Sequence, residues 1–338
     1  MGRAIHLAGS LSLASAEDSF RKVSALAGDG VKRLPDGETG DRGKWIGWQA
    51  SKIAGNPTLQ IEEASSIGQG YSSRPKFWVK DGVDPAEVRF DDLGYADEAL
   101  KSYALFANLK AKGDLPADKR FQVSLPTPLA ILTAFMALGA QQQIEPALEA
   151  GMLAELARIV AAIPHDQLAV QWDVAVEIGI LEVGMPFWVE DKKAGIIERL
   201  VRLGNAVPAS VELGYHLCYG NMGNKHFKEP VDTSLLVEIA NALGAGLNRP
   251  LNWVHMPVPI ERDDEAYFRP LEGLTKRPET QIFLGLVHLA DGLEGTKRRI
   301  ATAARYLDDF GIATECGLSN RPEGYTEDIL ALHKEAAA

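Results

Sequence analysis

The feature that most constrains the fold is a regular alternation of short apolar runs with segments of helical spacing. Eight such runs occur in the 338 residues: Ile5–Ala8, Val31–Leu34, Phe121–Pro126, Gln167–Asp173, Ser210–Cys218, Leu251–His255, Gln281–His288 and Gly311–Cys316. Their continuous apolar character is typical of parallel strands that are buried on both faces. Eight strand–helix units predict an α/β fold, a single (β/α)8 TIM barrel over residues 1–338. A doubly wound open sheet is the alternative, because a strand count alone does not prove closure.

One segment follows neither the strand nor the helix period. Residues from about 56 to 93 mix glycine, proline and polar residues, so we expect an irregular insertion after the second strand. We interpret it as a covering segment of the barrel, not as a second domain.

Composition excludes several classes of function. The net charge is -11 and no basic block offsets it, which argues against a nucleic-acid partner. No run of about 20 apolar residues indicates a membrane span, and the N-terminus lacks the pattern of a signal peptide. Two cysteines do not form a disulfide framework. We therefore expect a cytoplasmic protein with reduced thiols; its oligomeric state is not indicated.

Residues with reactive side chains collect at the predicted strand ends, which converge on one face of a TIM barrel. In chain order they are Ser10, Glu38, Asp173, His216, Cys218, His255, His288 and Cys316. Three of the seven histidines and both cysteines fall on four consecutive strand ends. This placement predicts a functional site there.

The cysteines and histidines indicate a metal. His216 and Cys218 are two residues apart on one strand, so their side chains point to the same face. Together with Cys316 they form a nitrogen and thiolate set, which is typical of zinc and not of magnesium or calcium. Three protein ligands would leave a position for water or substrate. The alternative for each cysteine is a small buried core residue.

The other candidates have structural alternatives as well. Asp173 lies in an apolar run, where an unpaired carboxylate is costly, so we favour a functional role. Glu38 could bind a ligand or cap the following helix. His288 could be a hydrogen-bonded core histidine. We expect Trp45, Trp48 and Trp172 to be core residues.

With these residues in view, the chain resembles the catalytic C-terminal barrel of cobalamin-independent methionine synthase, in the superfamily that includes uroporphyrinogen decarboxylase. The segments His216-Leu217-Cys218 and Cys316-Gly317-Leu318 match that family's zinc-binding segments. The resemblance implies a zinc cofactor and an amino-acid substrate that carries a thiol.

The resemblance also implies roles for four further residues. Ser10 would meet the carboxylate of the substrate, and Glu38 and Asp173 would hold its amino group. His288 corresponds to the proposed proton donor, and an imidazole with an ordinary pKa suits that role at neutral pH.

Two features depart from the family pattern. The family's fourth zinc ligand is a glutamate on the sixth strand, where this chain has His255. His255 is the best-placed substitute, and it would make the zinc site poorer by one negative charge. The family's full enzymes also carry an N-terminal barrel that helps to bind folate. The methyl donor therefore stays open between a folate, a corrinoid protein and an aryl methyl ether.

These observations predict zinc-dependent transfer of a methyl or other alkyl group to a small-molecule thiol, with homocysteine favoured and methionine as its product. Three alternatives remain. A lyase like uroporphyrinogen decarboxylase would need basic residues for a polycarboxylate, and residues 11–16 contain none. A zinc hydrolase would use water in the open position. A non-catalytic metal-binding barrel would hold zinc without turnover.

Overall fold

The computed structural model describes residues 2–61, 75–221, 223 and 225–338. Within this part of the chain one curled parallel sheet has seven strands in the order β1-β4-β5-β6-β7-β8-β9. The strands are β1 Arg33–Pro35, β2 Leu59–Ile61, β3 Phe77–Val79, β4 Arg120–Pro126, β5 Leu168–Val174, β6 Glu212–Leu217, β7 Trp253–Pro257, β8 Gln281–Gly285 and β9 Gly311–Ile312. The strand order follows the sequence without reversal, whereas a doubly wound sheet reverses at its switch point.

Helices connect the parallel strands. They are α1 Ala16–Ala27, α2 Ala50–Ala54, α3 Tyr95–Ala111, α4 Pro128–Phe135, α5 Leu138–Ala162, α6 Val176–Glu182, α7 Lys192–Asn205, α8 Ser234–Gly246, α9 Glu265–Phe268, α10 Gly292–Ala303 and α11 Tyr325–Ala337. Short 3₁₀ turns extend several of them. In the described ranges no helix combines the length and the apolar character needed to cross a bilayer.

The N-terminal segment lies between the two edges of the sheet. Ile5 forms one parallel bridge with Val31, just before β1, and another with Ile312 in β9. Its N–H donates to the carbonyl of Gly30 at 2.9 Å, and the N–H of Ile312 donates to the carbonyl of Ala4 at 2.8 Å. The arrangement is consistent with a TIM barrel. The predicted first strand is present only as isolated bridges, so the sheet has seven strands in the described residues.

The predicted irregular insertion contains regular structure. β2 and β3 pair antiparallel, with Leu59 opposite Val79 and Ile61 opposite Phe77. Leu59 and Phe77 are buried in the core, so apolar burial supplies a reason for the pairing that the sequence pattern did not reveal. Residues 62–74, which form the centre of the predicted insertion, lie outside the described residues.

The segment that carries Trp45, Trp48 and Ile53 is an interrupted helix. The chain forms a 3₁₀ helix over Gly40–Gln49, which is interrupted at Trp45 (φ 51°), and α2 follows it. Ile53 is buried in the core, and Trp48 packs against Tyr95 with ring centroids 4.9 Å apart. Because of this interruption, the backbone of Trp45 does not follow the helical conformation of its neighbours.

The register of the sheet aligns two rows of side chains on one face of the curled sheet. Pairing of β5, β6 and β7 places Asp173 beside His216 and His216 beside His255. Two residues earlier on the same strands, Gln171 pairs with Gly214 and Gly214 with Trp253. Because side chains two apart share a face, the row with the histidines lies one layer above the row with Trp253.

Candidate metal and substrate site

Three of the four predicted metal ligands come together at the carboxyl ends of the strands. The side chains of His216, Cys218 and Cys316 place their ligand atoms within 4.8 Å of one another. The sulfur atoms of the two cysteines are 3.4 Å apart, and Nε2 of His216 lies 3.5 Å from the sulfur of Cys316. The group joins the end of β6 to the loop that follows β9.

These distances fit a tetrahedral zinc ion. Zn–S bonds of about 2.3 Å and Zn–N bonds of about 2.0 Å imply S···S and N···S separations of roughly 3.8 and 3.5 Å in tetrahedral geometry. The observed separations of 3.4 and 3.5 Å are close to these values. One imidazole and two thiols are also the donor types that zinc prefers. The residues present therefore fit the metal.

His255 is not brought into this group, although it lies beside it. Its Nδ1 is 2.5 Å from Nδ1 of His216, and its Nε2 is 2.9 Å from the carbonyl oxygen of Thr314. The side chain is fully buried. Both ring nitrogens thus have hydrogen-bond partners inside the protein.

Backbone and side-chain hydrogen bonds hold the two cysteine loops together. The N–H of Gly220 donates to the sulfur of Cys218 at 3.2 Å. The side-chain amide of Asn221 donates to the carbonyl of Gly317 at 2.9 Å, which connects the loop after β6 to the loop after β9. Gly220 has a φ of 81°, a left-handed conformation that favours glycine. This conformation lets the chain turn directly after Cys218.

The two thiols have opposite electrostatic environments. The hydrogen bond from Cys218, together with that from His216, lowers the pKa of Cys316 well below its usual value despite burial. The same contact with Cys316, followed by burial, raises the pKa of Cys218. Burial lowers the pKa of His216, but the hydrogen bond and the charge of Cys316 outweigh it and raise the net pKa. Without a metal, these shifts favour the thiolate form of Cys316 beside the protonated form of His216 and the thiol form of Cys218.

A cavity of about 310 Å³ opens above the three ligands. It is lined by six of the eight predicted site residues, which are Ser10, Glu38, Asp173, His216, Cys218 and Cys316. Gly317 also lines it, where a Cβ atom would lie 2.1 Å from Oγ of Ser10. Ser10 can therefore reach the cavity wall because residue 317 has no side chain.

Glu38 and Asp173 are two carboxyl groups that line this cavity and interact electrostatically. Burial and the charge of Asp173 raise the pKa of Glu38, and burial raises the pKa of Asp173 to about 7 against the opposing charge of His216. Gln171 donates from Nε2 to Oδ1 of Asp173 at 2.9 Å. Gly9 (φ 143°) has no room for a Cβ atom, which would lie 2.7 Å from Oε1 of Glu38. Glu38 does not act as the cap of the following 3₁₀ helix, which has no side-chain cap. Two buried carboxyl groups whose charges oppose each other tend to hold protons, and a bound cation would offset that repulsion in their place.

His288 lies in a neighbouring cavity of about 360 Å³, which shares Asn221, Cys316 and Gly317 with the first. Its Nε2 donates to the carbonyl of Val258 at 2.9 Å, and its Nδ1 is 3.7 Å from Oε2 of Glu315. Burial, followed by the charge of Arg299, lowers the pKa of His288 to about 4. The expectation of an ordinary imidazole pKa is therefore wrong, because the side chain is withdrawn from water.

Three residues contribute to the site without having been predicted from the sequence. Trp45 lines the first cavity, where we expected a core residue, and its position in a glycine-rich loop was the available signal. Gln171 orients Asp173. Glu315 lines the second cavity, and burial, followed by the charge of Glu229, raises its pKa to about 8. For Gln171 and Glu315, no sequence pattern distinguished these polar residues from ordinary strand and loop residues.

The chain matches no protein-family model, and no curated protein matches it. Solved structures do resemble it. One is a protein from Listeria monocytogenes named as a vitamin-B12-independent methionine synthase, with a TM-score of 0.58 and 14% identity over 95% of this chain and 86% of that chain. A second is a B12-independent methionine synthase from Shewanella sp. W3-18-1 in complex with selenomethionine, with a TM-score of 0.58 and 14% identity over 99% of this chain and 96% of that chain. A third is a methyltransferase from Methanosarcina mazei, with a TM-score of 0.55 and 11% identity over 100% and 95% of the two chains. At these identities the likeness concerns the fold, and it agrees with the fold expected from the sequence resemblance.

Proposed function

We propose that this protein transfers a methyl or other alkyl group to the thiol of an amino-acid acceptor, with zinc as cofactor and homocysteine as the favoured acceptor. The observation that carries the proposal is one cavity lined by two chemically different groups of residues. His216, Cys218 and Cys316 line it together with the carboxyl groups of Glu38 and Asp173. A molecule with a thiol and an ammonium group has chemistry that suits both groups.

The roles of the residues follow from this arrangement. When bound to His216, Cys218 and Cys316, zinc would supply Lewis acidity that favours the thiolate form of the acceptor. Glu38 and Asp173 would bind the ammonium group, and Ser10 would bind the carboxylate. Fixing three groups of one small molecule aims its sulfur along one direction, so positioning supplies much of the rate enhancement.

The alkyl donor would enter from the second cavity, because that cavity meets the first at Cys316 and Gly317. His288 remains our proposed proton donor to the leaving group. The carboxyl group of Glu315, whose pKa burial raises to about 8, lies 3.7 Å from Nδ1 of His288 and would hold the proton that this pair passes to the leaving group. The donor stays open between a folate, a corrinoid protein and an aryl methyl ether.

The proposed architecture is a single domain over residues 1–338, an eight-stranded barrel in which Ile5–Ala8 closes the sheet. The bridges from Ile5 to both edges support closure. We further propose that the segment at 56–93 covers the donor side and excludes water.

The test combines metal content with thiol alkylation. Protein purified with zinc should hold one equivalent and should transfer an alkyl group to homocysteine, whereas Cys316→Ser should lose both properties. Cys316 is half-buried, so a serine of similar size is a conservative change. The matched control is Ser319→Ala, at a residue that lines the same cavity without belonging to the ligand group, and it should retain zinc. Zinc-loaded protein that hydrolyses esters or amides without a thiol requirement would instead support a hydrolase, and wild-type protein that holds no stoichiometric zinc would reject the mechanism.

A further inference from the structure

His255 occupies the strand position at which the sequence suggested a fourth metal ligand, yet its contacts point elsewhere. The ring stacks on that of His216 with centroids 4.7 Å apart and an interplanar angle of 29°. The register of β6 and β7 holds the two residues side by side. Their Nδ1 atoms approach to 2.5 Å, so a proton must lie on one of the two nitrogens and a lone pair on the other.

The carbonyl oxygen of Thr314 decides where that proton lies. An oxygen of this kind only accepts hydrogen bonds, so Nε2 of His255, 2.9 Å away, must carry a hydrogen. His255 is fully buried, and no carboxylate is among the hydrogen-bond partners found for it in the described residues. A neutral imidazole with hydrogen on Nε2 has a lone pair on Nδ1. His216 must therefore carry hydrogen on its Nδ1 and donate it to His255.

We propose that His255 is a positioning residue that fixes the tautomer of His216 and is not itself a metal ligand. The hydrogen on Nδ1 of His216 leaves its Nε2 as the nitrogen that offers a lone pair to the metal. That same Nε2 is the atom 3.5 Å from the sulfur of Cys316. The inference deepens the proposed function, since it rests on the metal site made by the three ligands.

The consequence is a site with three protein ligands and two thiolates. The charge of a zinc ion would be balanced by Cys218 and Cys316, without a further anionic ligand. Metal-bound histidines usually donate their other N–H to a carboxylate, a carbonyl or water, and loss of such a partner costs about 10–100-fold in metal affinity. Here the imidazole of His255 takes the place of that partner. Its own Nε2–H donates in turn to the carbonyl of Thr314, in the backbone of the loop that carries Cys316.

The first experiment uses wild-type protein loaded with zinc. X-ray absorption at the zinc edge counts imidazole ligands by their multiple scattering, and we expect one imidazole and two sulfurs per zinc. ¹⁵N NMR of histidine-labelled protein should show hydrogen on Nδ1 of His216 and none on Nδ1 of His255. A count of two imidazoles would overturn the proposal.

Two variants separate positioning from general loss of structure. His255→Leu removes the acceptor and should weaken zinc binding about 10–100-fold in chelator competition while leaving one zinc and two sulfurs at saturation. His255→Gln offers an amide oxygen to His216 and an N–H to Thr314, so it should restore most of the affinity. His333→Leu is the control, because His333 is an equally buried histidine in α11, and it should leave zinc affinity unchanged.

The outcomes also separate this inference from the proposed function. Loss of a zinc ligand in the His255→Leu spectrum, or no rescue by His255→Gln, would overturn the positioning role while leaving a metal site. Zinc with one imidazole and two sulfurs in a protein that alkylates no thiol would sustain the positioning role and reject the transferase. If the wild type binds no zinc at all, both fail, and the metal analysis shows it directly.

Discussion

Zinc binding at this site should release two protons, and the number follows from the hydrogen bonds. In the metal-free group Cys218 keeps its proton, because contact with Cys316 and burial raise its pKa. Cys316 is a thiolate, but His216 beside it holds a second proton, because the charge of Cys316 raises the histidine pKa. A zinc ion requires two thiolates and a neutral imidazole. Both protons must therefore leave when the metal binds.

The expected pH dependence is steep. Each released proton changes the binding constant tenfold per pH unit, so two protons make zinc binding about 100-fold tighter from pH 6.5 to 7.5, or about 2.7 kcal/mol. The sign is fixed by mass action, since higher pH removes the released protons and favours the bound state. Cys218→Ser removes one of the two protons, and its slope should fall to about tenfold per pH unit.

Calorimetry measures the proton count directly. Titrations with zinc in buffers of different ionisation enthalpy yield the number of protons released at pH 7, and chelator competition over the same range yields the slope. His333→Gln serves as the control, because His333 lies in α11 and is not in the ligand group. A wild-type count near one would refute the reasoning. It would mean that one of the cysteines is not a ligand, or that Cys316 is a thiolate without a protonated His216.

Three further predictions concern substrate binding and stability. Glu38→Gln should weaken binding of a thiol that bears an amino group by about 10–100-fold, as expected for a hydrogen bond to a charged group. A thiol without the amino group should bind to this variant as it binds to the wild type. Equal losses of affinity for both thiols in a competition assay would contradict the role of Glu38 in binding the amino group. Burial lowers the pKa of His333 to about 4. Below the ordinary histidine pKa, near 6.5, the unfolded chain therefore binds a proton at this residue that the folded chain does not bind until the pH approaches 4. The free energy of unfolding should fall by about 2–3 kcal/mol between pH 7 and 4.5. Urea unfolding at the two pH values should show a smaller fall in His333→Gln, and an unchanged fall would assign the acid sensitivity elsewhere. Arg299→Leu should lower the free energy of unfolding by about 3–5 kcal/mol, because it leaves Asp291 without the buried guanidinium that contacts it at 2.6 and 2.8 Å. Arg305→Leu, at an exposed ion pair, should lower it by less than about 1 kcal/mol. Similar losses for the two variants in urea unfolding would refute the distinction.

The grouping of His216, Cys218 and Cys316 could be predicted from the sequence because their positions depend on two simple features of the fold. The two-residue repeat of a strand places His216 and Cys218 on one face. The convergence of parallel strand ends then brings Cys316 to them. Neither step requires knowledge of side-chain rotamers or of packing. The same logic identified Asp173, whose burial in an apolar strand the structure confirms.

The role of His255 could not be read in the same way. Its strand position suggests a ligand, but whether a histidine binds metal depends on which partners its two nitrogens have. One partner is a carbonyl of Thr314, which is 59 residues away in sequence, and backbone carbonyls carry no sequence signature. Trp45 has the same difficulty, because its direction depends on a left-handed backbone conformation (φ 51°) at a residue that is not glycine. The antiparallel pair of β2 and β3 was also missed, since three-residue strands are too short to show a period.

The layer beneath the histidines ties the chemistry of the site to the register of the sheet. Gly214 pairs with Trp253 on the neighbouring strand, two residues before the pair of His216 and His255. A Cβ atom at Gly214 would lie 1.9 Å from the indole ring, so the ring lies across β6 only because residue 214 has no side chain. A slip of one residue between the strands would turn the histidines to opposite faces. It would also drive the indole into a side chain. The glycine–tryptophan contact thus supports the register that brings the two Nδ1 atoms together, so a residue without reactive groups would help to set the tautomer that we propose for His216.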